Sequence, residues 1–335
     1  MDKITIFDTS VGSRNIGDQI INELFNKQMA ELINNSFTVR FPTHCPVTHF
    51  YQNTRFCRYF KYIDDSKYKF IVGTNIIHDN LIHPWPTWNI NLINCRPYKN
   101  SIIVAGGLSS SNFKFNLYTK ILLKKILSKK IIHSTRDEKS KIQLEKLGLK
   151  AINTGCVTMW GLTREHCKKI KEEKSDNVVF TLTDYNKDEK NDQELIDVLI
   201  TNYKKVYFWI QGDEDLDYFN RLKHTEKINV IGPQLNLFKD VLNSDNIDYV
   251  GTRLHAGILA LNYKVRTIII IVDNRAKDIK DTYNIVALER NEIKTKLNDL
   301  INSKFKTSIN INEDNIKLWK EQFYKKNGEL KNENQ

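Results

Sequence analysis

The chain has 335 residues, a formal net charge of +11 and 40% hydrophobic residues, a composition typical of a globular protein that is long enough for two domains. No apolar run approaches the roughly 18 residues of a membrane span, and the first residues lack the features of a signal peptide, so we expect a cytoplasmic protein. Its five cysteines are scattered and contain no Cys-x-x-Cys pair, which argues against a disulfide framework and a metal site.

The first half opens with a strand, a glycine-containing loop and a helix, the usual first unit of a doubly wound sheet. Asp18 stands at the start of this helix, where it serves either as the N-cap or as a ligand for a sugar hydroxyl. Arg136 lies at a later strand end, where a helix closed by Gly148 begins. Strands are predicted at residues 3–7, 37–41, 69–73, 101–105, 131–134 and 150–153.

Basic residues are concentrated in the second part of this half. Residues 114–150 include eleven basic and three acidic side chains, an excess that suits nucleic acid, an anionic membrane surface or an anionic substrate. The chain carries no nucleic-acid-binding signature, so we expect no nucleic-acid partner. The amphipathic segment 117–127 presents lysines on its polar side, which indicates either a solvated helix face or loose contact with an anionic bilayer, as at the inner membrane face.

The second half repeats the alternation of strands and helices. Strands are predicted at residues 177–183, 205–210, 228–231, 247–250 and 266–272, with helices between them. The sequence therefore predicts an N-terminal Rossmann-like domain at 1–162, a linker at 163–176, a C-terminal Rossmann-like domain at 177–310 and a C-terminal helix and tail at 311–335.

The turn after the strand at 247–250 is where we expect the chemistry. Thr252, Arg253 and His255 stand between that strand and the helix that follows, at the carboxyl edge of the sheet, where such folds bind ligands. A helix start suits an anion, an arginine offers a planar fork and a histidine carries protons near neutral pH. The alternative is that Arg253 pairs with a neighbouring carboxylate and His255 caps the helix.

Three segments resemble, in order, those of the polysaccharide pyruvyl transferase family. They are Asn15-Ile16-Gly17-Asp18, the stretch from Ser134 through Arg136 and Asp137 to Ser140, and Arg253-Leu254-His255. One departure is that the family often carries three glycines after its third main strand, where this chain has Gly73-Thr74-Asn75-Ile76.

This resemblance implies two Rossmann-like domains facing across a cleft, as in GT-B glycosyltransferases, with the acceptor side in the first domain and the donor side in the second. It implies that the enolpyruvyl group of phosphoenolpyruvate passes to two hydroxyls of a cell-surface glycan or its precursor, which can be lipid-linked, with no further cofactor. Arg253, His255 and Arg136 would contact the donor.

The residues fit this chemistry, because a donor with a phosphate and a carboxylate needs at least two cationic or N–H-rich sites. The substrate-binding set comprises Arg136, Asp18, Asn15, Gly17 and Thr252, with Arg253 and His255 as the catalytic pair. Two alternatives stay open: a GT-B glycosyltransferase that uses a nucleotide sugar, and a non-catalytic carbohydrate-binding protein.

Overall fold

The structure, a computed structural model, describes residues 1–53, 58–83, 85, 87–110 and 113–324. Residues 325–335 of the predicted C-terminal tail lie outside the described part. The strands are β1 (Asp2–Asp8), β2 (Ser36–Pro42), β3 (Tyr68–Val72), β4 (Ile102–Val104), β5 (His133–Thr135), β6 (Ala151–Asn153), β7 (Asn177–Thr181), β8 (Lys205–Trp209), β9 (Asn229–Ile231), β10 (Ile247–Gly251), β11 (Arg266–Ile271) and β12 (Ala287–Glu289).

Helices alternate with these strands, and their lengths range from one turn to four. The α-helices are α1 (Gly17–Gln28), α2 (Ala30–Asn34), α3 (Arg58–Asp64), α4 (Leu117–Ile126), α5 (Glu138–Lys146), α6 (Arg164–Cys167), α7 (Glu189–Asn202), α8 (Asp215–Phe219), α9 (Leu235–Leu242), α10 (Leu254–Asn262), α11 (Asn274–Tyr283), α12 (Asn298–Asn302) and α13 (Glu313–Glu321). Among the described residues, no helix is both long and apolar enough to cross a bilayer.

The chain divides into two compact units whose boundaries differ from the sequence-based domains. The first unit comprises Met1–Ser13, Ile21–Trp160 and the chain from Asn312 onward, and the second comprises Arg14–Ile20 and Gly161–Ile311. Residues 14–20 and the chain from Asn312 onward thus belong to a different unit from the residues next to them in the sequence. The stretch predicted as a linker, 163–176, is part of the second unit.

The first unit is built on a parallel sheet with the order β2-β1-β3-β4. Strand β5 continues it beside β4, through a parallel bridge between Gly106 and Thr135, and β6 pairs with β5. The C-terminal helix α13 is an integral part of this unit because Trp319 is fully buried and its indole Nε1 donates to Ile132 O at 2.8 Å.

The second unit is built on a six-stranded parallel sheet with the order β12-β11-β10-β7-β8-β9. Every residue of β10 and β11 is buried, as expected for central strands covered on both faces. Because the strands are parallel, the residues that follow β7, β8 and β10 meet at one edge of the sheet. This edge carries the polar residues of the candidate site.

Candidate functional site at the start of helix α10

The connection between β10 and α10 is short, and it places His255 in the first helical turn. Gly251 passes so close to β7 that a Cβ on it would lie 2.7 Å from the backbone nitrogen of Thr181, so only glycine fits there. Arg253 occupies the N-cap position without capping the helix through its side chain. The side chain of the N-cap residue thus does not occupy the start of α10, and the N-terminus of a helix attracts an anion.

Arg253 makes buried ion pairs with carboxylates, which is the alternative that the sequence left open for this residue. Its side chain is only 3% exposed, its Nε donates to Leu182 O at 2.9 Å, and its Nη2 donates to Asp184 Oδ1 at 2.9 Å. The same Nη2 also donates to Asp215 Oδ1. A direct bidentate grip on a substrate would require Arg253 to exchange these partners.

The charges of this cluster are strongly coupled. Burial raises the pKa of Asp215, while the guanidinium of Arg253 and the N–H of Gly212 act in the opposite direction. Burial lowers the pKa of Arg253, but the carboxylates of Asp215 and Asp184 outweigh it, so its pKa is raised. Arg253 therefore stays charged and fixes the turn that leads to His255.

A second segment of the site comes from the N-terminal part of the chain. Ile16 N donates to Gln211 O at 3.0 Å, and Gln211 Nε2 donates to Asn15 Oδ1 at 2.9 Å. Asn15 Oδ1 also accepts from Gly17 N at 2.8 Å. Asn15 is thus tied to the residue that follows β8, within the second unit.

Gly17 brings this segment next to His255. A Cβ on Gly17 would lie 3.3 Å from His255 Nδ1, 3.0 Å from Gln211 Nε2 and 2.9 Å from Asn15 Oδ1. The backbone of Gly17 therefore lies against the imidazole, and a side chain at this position would force Asn15 or its neighbours to shift. His255 itself is half-buried.

Asp18 and Thr252 occupy different surroundings. Helix α1 begins at Gly17, so Asp18 is a half-buried first-turn residue and its interpretation as the N-cap is wrong. Thr252 is buried, and its hydroxyl is 2.8 Å from the hydroxyl of Thr183, which ties the end of β10 to the end of β7. A substrate contact from either residue stays a prediction.

Arg136 belongs to the first unit, at the carboxyl end of β5. Its backbone N–H donates to Gly106 O at 3.2 Å, and its side chain covers Gly107 so closely that a Cβ there would collide with the guanidinium. Its Nε is 3.4 Å from Asp137 Oδ2, and its side chain is partly exposed. Asp137 caps α5 by accepting from Ser140 N at 2.7 Å.

Gln211, Asp184 and Asp215 are site residues that were not predicted from the sequence. All three follow strands at the carboxyl edge, Asp184 after β7 and the other two after β8. Asp184 and Gln211 stand directly after predicted strands, a signal that could have identified them, whereas Asp215 is the first residue of α8 and gives no such signal. The pairing of Arg253 with the two aspartates could not be read from spacing, since 69 positions separate it from Asp184 and 38 from Asp215.

Parallel sheets flanked by helices, with a polar site at the carboxyl edge and a helix start, define an α/β protein of the GT-B-like class. The sequence profile described as polysaccharide pyruvyl transferase matches residues 15–274. The chain belongs to this family, as its three resembling segments predicted.

The fold assignment is supported by a solved structure. The S. aureus MnaA–UDP co-structure is similar with a TM-score of 0.50 and 11% identity, over 90% of this chain and 89% of that chain. UDP-GlcNAc 2-epimerase of Methanocaldococcus jannaschii, in complex with UDP-GlcNAc and UDP, gives a TM-score of 0.49 and 13% identity over 97% and 100% of the two chains. A search of the curated proteins finds no match.

Proposed function

We propose that this family member transfers the enolpyruvyl group of phosphoenolpyruvate onto two hydroxyls of one sugar in a cell-surface glycan or its precursor. One observation carries the assignment of the site. The Asn15–Gly17 segment and the Arg253–His255 turn, far apart in the sequence, meet at the start of α10, where Gly17 adjoins the His255 imidazole.

The reaction balances as a ketal formation. Two sugar oxygens bond to C2 of the donor, the bond from C2 to the phosphate oxygen breaks, and phosphate leaves. Of the two hydroxyl protons, one goes to the methylene carbon, which becomes a methyl group, and the other leaves with phosphate. We assign the proton transfers to His255, since acid–base help of this kind is typically worth about a hundred- to ten-thousand-fold in rate.

The donor anion needs fixed positive partners. We assign one of its anionic groups to the N-terminus of α10, where the helix dipole favours negative charge. Arg253 supports this binding by holding the turn through Asp184 and Asp215. Arg136 is a proposed further donor contact, and Asp18, Asn15 and Thr252 are proposed substrate contacts.

The experiment that tests this function compares donors. We expect calorimetry to detect phosphoenolpyruvate binding to the full chain, and phosphate release to require both phosphoenolpyruvate and a sugar acceptor. UDP-GlcNAc is the comparison ligand because structures similar to this chain contain UDP or UDP-GlcNAc. Binding and turnover of the nucleotide sugar alone would indicate a glycosyltransferase, and sugar binding without phosphate release would indicate a non-catalytic binding protein.

A further inference from the structure

Residues 80–136 of the first unit combine a high positive charge with exposed aliphatic side chains. This stretch contains nine lysines and arginines and no aspartate or glutamate. Four of the large hydrophobic side chains exposed in the described residues also lie here: Ile82 (60% exposed), Ile93 (68%), Leu117 (74%) and Ile121 (50%). Single exposed aliphatic residues are ordinary, but a group of them in a basic region marks an interaction surface.

Hydrogen bonds gather these four residues, which we call the apolar tip, around the start of α4. Asn80 Oδ1 accepts from Ile82 N at 3.1 Å and from Asn116 Nδ2 at 2.7 Å, so the loop of Ile82 is attached to the N-cap residue of α4. Tyr118 Oη accepts from Leu92 N at 3.0 Å, which attaches the loop of Ile93 to the first turn of the same helix.

Lysines share the exposed face of α4 with the apolar tip. Leu117 and Ile121 are one helical turn apart, as are Lys120 and Lys124, and residues at this spacing lie on the same side of a helix. Lys125 follows Ile121 by one further turn. The opposite face of α4, which carries Leu122, Leu123 and Ile126, is buried in the core, so the orientation of the helix is fixed.

We propose that this surface docks the protein on an anionic lipid bilayer, with the apolar tip inserted among the headgroups and the lysines of α4 beside their phosphates. Charge alone would suit any polyanion. The exposed aliphatic residues favour a lipid surface, because apolar burial and attraction to anionic headgroups act together there. The inference goes beyond the transfer reaction and does not depend on the identity of the donor.

Vesicle co-sedimentation of the full chain tests this inference. We expect binding to vesicles of phosphatidylcholine mixed with phosphatidylglycerol, at least tenfold weaker binding to pure phosphatidylcholine, and a loss of binding as salt is raised. Failure to bind the mixed vesicles, or equal binding to both kinds, would overturn the proposal.

Two pairs of variants identify the surface. The first pair tests charge. We expect vesicle binding to fall at least tenfold in a triple variant that combines Lys120→Glu, Lys124→Glu and Lys125→Glu. Its charge-matched control changes three exposed lysines of the second unit, Lys205→Glu, Lys223→Glu and Lys227→Glu, and should bind as the parent does. Combined Leu117→Ser and Ile121→Ser should also weaken binding, unlike Val230→Ser with Leu237→Ser. Equal effects within either pair, or full binding by the apolar-tip variant, would refute docking through this surface.

Discussion

Gln211 and Asn15 stand 196 positions apart, yet Gln211 Nε2 donates to Asn15 Oδ1 over 2.9 Å. The other side-chain atom, Gln211 Oε1, is buried and has no hydrogen-bond partner among the described residues. A side chain with one strong bond and one unsatisfied buried acceptor contributes little net stability. We conclude that Gln211 matters for the position of residues 15–17 rather than for the stability of the second unit.

Gln211→Leu should therefore change activity more than stability. The substitution removes the unsatisfied Oε1 together with Nε2, and Asn15 Oδ1 keeps its bond from Gly17 N, so we expect the free energy of unfolding to change by no more than about 1 kcal/mol. Asn15 loses one donor while the backbone bond from Ile16 N to Gln211 O remains, so residues 15–17 are held less tightly. We expect kcat/KM to fall about tenfold or more with little change in Tm. An unchanged kcat/KM, or a large drop in Tm, would show that Gln211 is not a positioning residue.

Gly17→Ala tests the close approach to His255. The new Cβ would lie 2.9 Å from Asn15 Oδ1 and 3.3 Å from His255 Nδ1, so the segment or the imidazole must move by several tenths of an ångström. We expect kcat/KM to fall at least tenfold, since misplacement on this scale is costly in an active site. Gly232→Ala is the control, because its Cβ would meet only Leu237 Cδ1 at 3.3 Å; equal effects of the two variants would contradict the prediction.

His255→Ala should reduce turnover by about a hundred- to ten-thousand-fold while the protein stays folded, as expected for loss of acid–base help. Steady-state phosphate release and a thermal melt measure the two effects. The exposed histidine His224 has a left-handed backbone, with φ of 66°, which asparagine tolerates, so His224→Asn is a suitable control. Turnover of His255→Ala within a few-fold of the parent would remove His255 from the mechanism.

Arg253→Lys separates donor binding from stability when it is compared with Arg266→Lys. Both arginines are buried and paired with aspartates, Arg253 with Asp184 and Asp215 and Arg266 with Asp248, and lysine cannot reproduce their several directed hydrogen bonds. Each replacement should lower the unfolding free energy by about 1.5–3 kcal/mol, the range for hydrogen bonds to charged groups. Only Arg253→Lys should weaken phosphoenolpyruvate binding, and calorimetry on both variants measures this; equal affinities would exclude Arg253 from the donor site.

His133 should make the first unit sensitive to acid. Ile103 N donates to its Nδ1 at 3.1 Å, so this nitrogen must be unprotonated, and burial lowers the pKa of His133 to about 4. In the unfolded chain the pKa of a histidine is about 6.5, so the unfolded state takes up the proton first as the pH falls. The free energy of unfolding is therefore highest above that pH and decreases by about 3 kcal/mol as the pH falls towards 4. Denaturant titrations should show a flatter pH dependence for His133→Asn, and parallel curves for the two proteins would contradict this.

Local sequence patterns predicted most of the fold but only part of the site. The alternation of apolar strands with helices was sufficient to predict two α/β units. The turn from Thr252 to His255 was predicted as a site because its residue types and its position after a strand both indicate ligand binding. The carboxylates that hold Arg253 could not be predicted, since pairing across 69 or 38 positions depends on how the strands are ordered in the sheet.

The assignment of short segments to units was beyond sequence patterns for a similar reason. Residues 14–20 follow β1 after a short loop, and nothing in their periodicity indicates that they pack with Gln211. Helix α13 has a mostly polar sequence, and only its contacts show that Trp319 is a core residue. In both cases the decisive interaction joins positions that are distant in the chain, which hydrophobic periodicity does not report.

The membership of Arg14–Ile20 in the second unit has a consequence for how such genes can recombine. A crossover near Trp160 would join a foreign N-terminal half to a native C-terminal half, and the hybrid would carry a mismatched loop beside His255. Functional chimeras of relatives therefore need compatible residues at 15–17 and at Gln211. The alternative is a second crossover, so that residues 14–20 and the C-terminal half come from the same parent.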